Sequence, residues 1–434
     1  MAKERFQKVR GMTDILPSEQ KYWSYVISNF EKLAQLSGFK KISLPIVEPT
    51  SLFEKGTGQD TDIVRKEMYT FLDKSGQSVS LRPELTPSVV RVYLEEGMSS
   101  KIQPVKLYYI EPAFRYERPQ AGRYRQFWQL GLEAIGEADP SVDAEIILIS
   151  FRFLENLGLR NFTLQINSLG DQKCQPKFRE ELIDYYTGRI DQACPTCKER
   201  FFRNPFRLLD CKEKECQKLI ERSPQIVDFL CQECKEHFQK VLDYLDTLNI
   251  PYNFNPYLVR GIDYYTKTVF EVWPSFARAS EGKPEKEGGQ NALGGGGRYD
   301  NLVELLGGKP TPACGVSFGM ERIIQKLKEG KIKIPQKVEA SVFVVQLGEG
   351  AKKKALALLD ILRSAGIGAV ADLSKENIKS QLRLASRLGI SLTLILGQKE
   401  VIDETVIIRD MSSGVQEIVQ FKNVISELKK RLPR

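Results

Sequence analysis

Seven of the eight cysteines and the only histidine of this chain lie between residues 171 and 250, among many lysines and glutamates. The segments on either side have the apolar periodicity of core strands and helices instead. A core pattern that stops near residue 170 and resumes at Tyr257 indicates one domain interrupted by an insertion. With 434 residues, the chain is long enough for roughly three domains.

A second boundary is expected at residues 328–338, which are rich in lysine and contain proline. Beyond it, strand and helix signals alternate, an order that indicates a small α/β domain with its own core. The predicted organisation is a first core part at 1–170, a Cys-rich insertion at 171–250, a second core part at 251–330, and a linker with a C-terminal domain at 331–434.

Composition limits the chemistry and the compartment. One histidine argues against Ser-His-Asp hydrolysis, His-Glu-x-x-His metalloprotease chemistry and any multi-histidine metal site. Apolar runs such as residues 146–149 are far too short for a bilayer, and no apolar segment follows the N-terminal charges. We therefore expect a cytoplasmic protein with reduced cysteines. The net charge of 64 − 56 = +8 is compatible with a polyanionic partner.

An Arg-rich loop is the first candidate for a binding site. Two predicted strands, residues 105–116 and 125–135, flank it. Arg115 at a strand end can present a planar fork to a phosphate. Glu117 can accept from an adenine amino group, and Phe127 offers a face for stacking. The alternative is a solvated cationic hairpin with no ligand.

A proline-rich segment, residues 81–87 (LRPELTP), is the second candidate. Its two prolines fix the backbone around Glu84 and Thr86, an acid and a hydroxyl that suit a rigid pocket for an ammonium group. The alternative is an ordinary proline-rich turn.

The third candidate is residues 260–265 (RGIDYY), in which Arg260 and paired tyrosines can line a small polar pocket. Because adjacent strand residues face opposite sides, we expect only one of Tyr264 and Tyr265 to reach a ligand directly. The alternative is two half-buried strand tyrosines.

The glycine-rich region does not contain a standard nucleotide loop. Pro310 follows Lys309, which excludes a P-loop, and Tyr299 replaces the last glycine of a dinucleotide fingerprint. Residues 315–322 (GVSFGMER) place small side chains at alternate strand positions, so a flat ligand can lie on that face. Arg322, at the end of this segment, can reach the phosphates of such a ligand.

Together these features resemble the histidyl-tRNA synthetase family of class II aminoacyl-tRNA synthetases. Six segments match it in order: 10–14 (RGMTD), 37–45, 114–117 (FRYE), 260–265, 297–300 (GRYD) and 315–322. The second, third and sixth match motifs 1, 2 and 3 of that class, and the role of motif 1 is dimerisation. The resemblance covers nearly the whole chain and is weakest in residues 171–250.

The resemblance implies an α+β fold. Its catalytic core is built on an antiparallel sheet flanked by helices, with a helical insertion and a C-terminal α/β anticodon-binding domain. It also implies histidine–tRNA ligase activity in a homodimer. Histidine and ATP, with Mg²⁺, would give histidyl-adenylate and pyrophosphate, and histidine would pass to the terminal adenosine of tRNA-His. The tRNA would be contacted at its acceptor stem and its anticodon.

The resemblance also assigns roles to the phosphate-binding and adenine-binding side chains. The catalytic cations would be Arg115 and Arg260 at the α-phosphate and Arg322 at the γ-phosphate. Arg260 would act where related enzymes rely on a metal ion. Arg115, Glu117, Phe127 and Arg322 would bind ATP, with Glu117 and Phe127 on the adenine.

Histidine would contact a set that overlaps these cations, and the set implied is Glu84, Leu85, Thr86, Arg115, Gln129, Glu133, Arg260, Tyr264 and Tyr265. Within it, Glu84, Thr86 and Gln129 would bind the α-ammonium. Glu133 and one of the two tyrosines would read both imidazole nitrogens, which rejects amino acids that lack them. Because no enzyme histidine is available as a base, we expect the adenylate phosphate to remove the proton during transfer.

Four positions depart from the pattern of that family. Leu85 stands where many relatives have glycine, and Pro87 where they often have alanine. Trp128 occupies a position that is often His or Tyr, and we interpret it as a packing variation. Ser317 replaces the central glycine of motif 3 and is small enough to keep the adenine surface open.

The cysteine spacing is compatible with a zinc site but does not establish one. Two Cys-x-x-Cys pairs and two cysteines between them have spacings that four-thiolate zinc sites use: Cys194, Cys197, Cys211, Cys216, Cys231 and Cys234. Against zinc, the gap between the pairs is long, and six thiols overfill one site. The expectation is therefore reduced, partly buried thiols with no metal ligand assigned, and His237 as a surface or packing residue.

Contacts with tRNA are expected from two regions. By analogy with the family, the insertion would lean over the acceptor stem. Basic side chains recur at helical spacing in the C-terminal domain, and these are Lys375, Lys379, Arg383 and Arg387. They can contact RNA phosphates or form a solvated helix face.

Three other functions are alternatives to the ligase, and particular residues disfavour each of them. A regulatory paralogue that binds histidine without catalysis typically lacks the anticodon domain and the arginine at position 260, and this chain has both. A class II synthetase for another amino acid is disfavoured by Glu133 beside the paired tyrosines. A pure RNA-binding protein would not need Arg115, Arg260 and Arg322 together.

Overall fold

The computed structural model describes residues 6–274, 292–335, 341–374 and 377–432. The chain forms two compact units, one up to residue 334 and one from residue 335 onward. Among the described residues, no helix combines the length and the apolar character that crossing a membrane requires.

The first unit contains eleven strands and ten α-helices within its described residues. The strands are β1 (Lys40–Lys41), β2 (Val47–Pro49), β3 (Tyr69–Leu72), β4 (Ser78–Leu81), β5 (Val105–Phe114), β6 (Gln126–Ile135), β7 (Phe162–Ser168), β8 (Tyr252–Phe254), β9 (Thr266–Pro274), β10 (Gly294–Arg298) and β11 (Ala313–Gly319). The helices are α1 (Pro17–Leu36), α2 (Thr50–Phe53), α3 (Thr86–Glu95), α4 (Pro140–Asn156), α5 (Gln175–Tyr186), α6 (Pro195–Arg203), α7 (Lys214–Ile220), α8 (Gln232–Thr247), α9 (Leu302–Leu305) and α10 (Met320–Glu329).

Eight of these strands form one sheet in the order β1-β5-β6-β11-β10-β9-β7-β8. The six central strands pair antiparallel, and the two edge strands, β1 and β8, pair parallel to their neighbours. Strands β2, β4 and β3 form a separate small sheet. The predicted α+β fold, an antiparallel sheet flanked by helices, is confirmed.

Helices α1, α4, α8 and α10 share one apolar core with a face of the large sheet. Helix α1 has proline in its first turn and buries Trp23, Val26, Phe30 and Ala34, which recur every three or four residues. Helix α4 begins at Pro140, because Asp139 accepts a hydrogen bond from the Ser141 amide and caps it.

The glycine run 294–297 lies in a central strand, β10. Close packing explains why glycine is used here. A Cβ on Gly296 would overlap the carbonyl oxygen of Gly315 on β11, and one on Gly295 would meet Nη1 of Arg260 at 2.5 Å. The glycines therefore let a cation lie against the sheet.

The chain leaves the large sheet after β7 and returns to it at β8, and helices α5 to α8 lie between them. These helices do not build a separate core. Phe178 and Leu182 of α5 belong to the same buried cluster as Leu85 and Tyr265. Helix α5 is therefore packed with the residues of the candidate site, whereas α8 belongs to the core that α1, α4 and α10 share.

The second unit is an α/β domain with a five-stranded sheet. Its strands are β12 (Val342–Gln346), β13 (Ala369–Ala371), β14 (Leu392–Leu396), β15 (Thr405–Asp410) and β16 (Gln416–Gln420), in the order β13-β12-β14-β15-β16. Its helices are α11 (Glu349–Ser364), α12 (Ile378–Arg387), α13 (Gln398–Ile402) and α14 (Val424–Arg431). Apolar clusters cover both faces, as the alternating pattern predicted. Lys379, Arg383 and Arg387 are exposed along α12, and Lys375 lies outside the described residues.

Candidate active site

A cavity of about 400 Å³ opens on the large sheet and is lined by residues from both core parts and from the insertion. All twelve site residues that the sequence singled out line it: Glu84, Leu85, Thr86, Arg115, Glu117, Phe127, Gln129, Glu133, Arg260, Tyr264, Tyr265 and Arg322. They come from segments as far apart in sequence as β4 and α10, and the sheet brings them together.

Glu84 is one of two buried carboxylates at one end of this cavity. It is 3% exposed and accepts hydrogen bonds from the Thr57 hydroxyl at 2.5 Å and the Tyr264 hydroxyl at 2.9 Å. Burial raises the pKa of Glu84, although the Thr57 hydrogen bond and the charge of Arg115 oppose that rise. Its neighbour Leu85 is fully buried and forms part of the cavity wall.

Glu133 is the second carboxylate, and it is 1% exposed. Its oxygens accept from three hydroxyls, Thr86 at 2.8 Å, Tyr109 at 3.2 Å and Tyr299 at 2.6 Å. Burial raises the pKa of Glu133 to about 7. The three hydroxyl donors oppose this rise, and the nearby carboxylate of Glu84 adds to it. The site is therefore suited to a ligand that carries positive charge and N–H donors.

Gln129 on β6 adds an unused acceptor to this end of the cavity. Its Nε2 donates to the Ser317 hydroxyl at 3.1 Å, which orients the amide group. Its Oε1 is buried and, within the described residues, has no hydrogen-bond partner. Such an orphaned acceptor fits the N–H of an ammonium ligand.

The paired tyrosines lie outside the strand on which the period-two argument relied. Strand β9 begins only at Thr266, so Tyr264 and Tyr265 lie just before it. Their ring centroids are 4.7 Å apart, and both residues line the cavity. The period-two rule applies to extended backbone, which starts after both residues, so it does not decide which hydroxyl reaches a ligand, and that call stays a prediction.

Arg115 is one of three arginines that line the cavity, a group named here the arginine end, as Glu84 and Glu133 are named the carboxylate end. It directly follows β5, and its Nε donates to the Pro83 carbonyl at 2.8 Å. Its guanidinium lies 5.3 Å from the ring centroid of Phe127. Its charge opposes the rise in pKa that burial causes at Glu84 and Glu67, but within the described residues it forms no ion pair with a carboxylate.

Arg260 lies in the loop before β9 and forms an ion pair with Glu271 of that strand. It also lies 5.6 Å from the ring centroid of Tyr265. Burial opposes the charged form, but the Glu271 carboxylate holds the pKa of Arg260 above its ordinary value. Nothing in the sequence singles out Glu271, because it lies six residues beyond Tyr265 among strand residues.

Arg322, in the first turn of α10, donates to two backbone carbonyls, Gly122 at 3.2 Å and Ala292 at 2.8 Å. Burial and the neighbouring guanidinium groups of Arg123 and Arg115 lower its pKa. A buried cation that other cations destabilise is relieved by an anionic ligand. This end of the cavity therefore suits phosphate groups.

Glu117 and Phe127 lie beside these arginines. Glu117 is 3.2 Å from Arg123, so its carboxylate already has a cationic neighbour. The loop that carries both is anchored by the segment 10–14, since the Arg125 amide donates to the Gly11 carbonyl at 2.7 Å. Gly11 has φ +86°, and a Cβ there would meet the Arg125 side chain.

Several side chains escaped the sequence reasoning, among them Tyr109, Glu271 and Tyr299 in the cavity lining and Thr57 next to Glu84. Thr57 contacts Glu84 and belongs to a π-helical turn, Glu54–Gly58. Only Tyr299 had a usable signal, because it lies in the GRYD segment that the resemblance had quoted. In that segment Arg298 is fully buried and pairs with Asp143, and Tyr299 donates to Glu133.

The insertion cysteines form two groups, and all eight cysteines are unpaired thiols. The first group, the four-thiol cluster, consists of Cys194, Cys197, Cys211 and Cys216. The second, the three-thiol cluster, consists of Asp171, Cys174, Cys231 and Cys234. In each, the ligand atoms lie within 4.8 Å of one another. His237 is in neither group; it is buried, with Nε2 3.4 Å from Asp143, which makes it a packing residue.

Two protein families match this chain over most of its length. A family model described as Histidyl-tRNA synthetase matches residues 11–171 and 207–323, and one described as Anticodon binding domain matches residues 341–431. The stretch that the first model skips, 172–206, lies in the Cys-rich segment, where the resemblance is weakest.

Individual relatives agree with these matches. The chain is 44% identical over 423 residues to a histidine–tRNA ligase from Pelotomaculum thermopropionicum, covering 98% of this chain and 97% of the relative. It is 36% identical to the apo histidyl-tRNA synthetase of S. aureus, with a TM-score of 0.82, covering 98% of this chain and 100% of that one. A protein described as an ATP phosphoribosyltransferase regulatory subunit/histidyl-tRNA synthetase, from Bacillus halodurans, is 20% identical with a TM-score of 0.64. That match covers 91% of this chain and 99% of the other, and it shows a shared fold alone. The chain therefore belongs to the histidyl-tRNA synthetase family.

Proposed function

We propose that this chain activates L-histidine with ATP and transfers it to tRNA-His. The observation that carries the proposal is one cavity that is lined by two buried carboxylates and three arginines. Histidyl-adenylate has matching ends, since its ammonium and imidazole are cations or N–H donors and its phosphate is an anion. A ligand of this kind neutralises both ends at once.

At the carboxylate end, Glu84, Thr86 and Gln129 bind the α-ammonium of histidine, and Leu85 closes the wall beside them. The free Oε1 of Gln129 and the acceptor oxygens of Glu84 support this assignment. Glu133 and the paired tyrosines, Tyr264 and Tyr265, read the imidazole. The three hydroxyls around Glu133 keep its carboxylate oriented as an acceptor.

At the arginine end, the carboxylate oxygen of histidine attacks the α-phosphorus of ATP, and the bond to the pyrophosphate leaving group breaks. Arg115 and Arg260 stabilise the charge on the five-coordinate phosphorus, and Arg322 binds the γ-phosphate. Arg115 and Arg260 also hold the histidine carboxylate in position. Glu117 and Phe127 hold the adenine, with Phe127 already facing the Arg115 guanidinium.

Mg²⁺ enters with ATP as part of the substrate. The fit is supported by carboxylates that line the same end, Glu117 and Glu271, since oxygen ligands are those that Mg²⁺ takes. Glu271 pairs with Arg260 in this structure, so binding of MgATP would rearrange that pair.

In the transfer step, the hydroxyl of the terminal adenosine of tRNA-His attacks the carbonyl carbon, and AMP leaves. The side chains that line the cavity include no histidine to act as base, so the adenylate phosphate accepts the hydroxyl proton. The insertion contacts the acceptor stem, and the C-terminal domain, with exposed Lys379, Arg383 and Arg387 on α12, contacts the anticodon.

We further propose a homodimer in the cytoplasm. Exposed apolar side chains next to residues 37–45 support the dimer: Leu36 is 76% exposed, Ile46 44% and Val47 42%. Unpaired thiols fit a reducing compartment. Sedimentation of a monomer at working concentration would contradict the dimer.

Charging of tRNA tests the ligase directly. The protein is incubated with MgATP, labelled histidine and total tRNA, and the label on precipitated tRNA is counted. A parallel sample uses periodate-treated tRNA, whose terminal diol is destroyed. We expect label only on untreated tRNA. A folded protein that binds histidine but labels neither tRNA would instead indicate the regulatory paralogue.

A further inference from the structure

We propose that the insertion holds two structural zinc ions, one in the four-thiol cluster and one in the three-thiol cluster. Two features of the sequence argue against zinc: six thiols overfill one site, and the two Cys-x-x-Cys pairs lie far apart along the chain. Neither applies to the folded chain, because seven thiols and one carboxylate divide into two sets of four ligands. Sequence spacing missed this because two of the ligands, Asp171 and Cys174, precede the six cysteines that it considered.

The four-thiol cluster has the dimensions of a tetrahedral thiolate site. With Zn–S bonds of about 2.3 Å, neighbouring sulfurs in a tetrahedron are roughly 3.8 Å apart. The Sγ atoms of Cys194 and Cys211 lie 3.8 Å apart. This distance is far beyond a disulfide bond, whose sulfurs are about 2.05 Å apart.

Backbone geometry supports thiolates in this cluster. Cys194 caps the N-terminus of α6 and Cys197 lies in its first turn, where amide N–H groups favour negative charge. The Cys194 amide donates to the sulfur of Cys216 at 3.3 Å. Such hydrogen bonds hold metal ligands in place and offset their charge.

The three-thiol cluster repeats the same arrangement with one carboxylate. Cys231 caps α8, and its amide donates to the sulfur of Cys174 at 3.1 Å. Asp171 Oδ1 accepts from the amides of Lys173 and Cys174, which turns Oδ2 toward the thiols, 4.0 Å from Cys231 Sγ. A carboxylate aimed at three thiols has no role in a disulfide but completes a zinc site.

The two sites join parts of the insertion that are distant in sequence. The three-thiol cluster ties its first residues, at 171 and 174, to the start of α8. Arg200 and Arg207 lie in the chain between Cys197 and Cys211 of the four-thiol cluster. They donate to Asp62 at 2.7 and 3.2 Å, and Arg207 also donates to the Gly261 carbonyl at 2.8 Å. Zinc in this cluster would therefore fix the side of the insertion that faces the Arg260 loop.

Metal analysis of the full-length protein tests the proposal independently of its catalytic function. After gel filtration in buffer with a chelator, mass spectrometry of the digested protein should give two zinc atoms per chain. Cys197→Ser and Cys234→Ser should each retain one, and the double variant none. Cys314→Ala, which removes the buried thiol on β11, should retain two.

X-ray absorption on the unaltered protein keeps the test valid where a variant fails to fold. The average zinc should have 3.5 sulfur neighbours, the mean of four and three, at about 2.3 Å. A value of one zinc or none per chain, iron in place of zinc, disulfides in the native protein, or a shell dominated by nitrogen and oxygen would each overturn the two-site proposal.

Discussion

The two ends of the active-site cavity are built in opposite ways. At the carboxylate end, Glu84 and Glu133 accept hydrogen bonds from hydroxyls, which orient the acids without supplying charge. At the arginine end, Arg115 and Arg322 donate to backbone carbonyls, which orient the cations without neutralising them. Each end is therefore oriented but incompletely neutralised. This arrangement suits a ligand with a cationic and an anionic part.

The largest effect is expected from breaking the arginine end. Arg260→Ala should lower the rate of histidine-dependent ATP–pyrophosphate exchange by about a thousandfold, because a cation at the reacting phosphorus is lost. The fold should be intact by circular dichroism. A double variant with Glu271→Ala separates two roles for Arg260. If Arg260 acts on phosphate, the double variant stays inactive; recovery to near the normal rate would mean that Arg260 only neutralises Glu271.

Breaking the carboxylate end should give a smaller effect on a different constant. Glu133→Gln should raise KM for histidine by about 100-fold, since a buried charged hydrogen bond is lost, with KM for ATP nearly unchanged. Glu321→Gln is the matched control. Glu321 is a half-buried carboxylate that also lines the cavity, and burial raises its pKa to about 7, but it accepts from the Trp128 amide. Equal changes in both KM values for Glu133→Gln would contradict the division into two ends.

The raised pKa of Glu133 predicts how the free energy of unfolding depends on pH. Its folded-state pKa of about 7 lies above the ordinary 4.5, so the folded protein binds more protons than the unfolded chain between these values. The free energy of unfolding of the ligand-free protein should therefore fall, relative to Glu133→Gln, as pH rises through about 7.

Histidine binding should oppose this trend, because the ligand supplies a positive charge to the ionised acid. Below pH about 7, histidine affinity should fall by up to about tenfold per pH unit in the unaltered protein and less in Glu133→Gln. Calorimetric titrations of both proteins measure this, and the titration of histidine itself cancels in the comparison. Parallel pH profiles would show that Glu133 does not bind the ligand in its ionised form.

The smallest effect concerns the orientation of Gln129. Ser317→Ala removes the hydroxyl that accepts from Gln129 Nε2, so the amide can turn away from the ammonium. KM for histidine should rise about fivefold, as expected for one neutral hydrogen bond. KM for ATP is the internal control. An unchanged KM for histidine would mean that the Gln129 carbonyl does not depend on Ser317.

Much of the fold could be predicted from the sequence because it rests on local patterns. Alternation along the two predicted strands gave β5 and β6 closely. The polar residues singled out along the chain meet in one cavity. Features that depend on distant segments could not be predicted. The neighbouring backbones require the glycines of β10, and Glu271 and Tyr109 come to line the cavity only through sheet pairing.

The cysteines show the same limit. Spacing along the chain indicated at most one zinc site, with more thiols than it needs. It could not show that Asp171 and Cys174 lie next to a cysteine pair almost 60 residues away. Chain folding decides which thiols share a site, and a sequence without its fold does not contain those distances.

The most direct test of the central account is ATP–pyrophosphate exchange on the purified protein, with each of the twenty amino acids supplied separately. If the carboxylate end reads imidazole and ammonium while the arginine end binds the phosphates, exchange will occur with histidine alone. Exchange with another amino acid at a comparable rate, or with none although the folded protein binds histidine, would contradict the account.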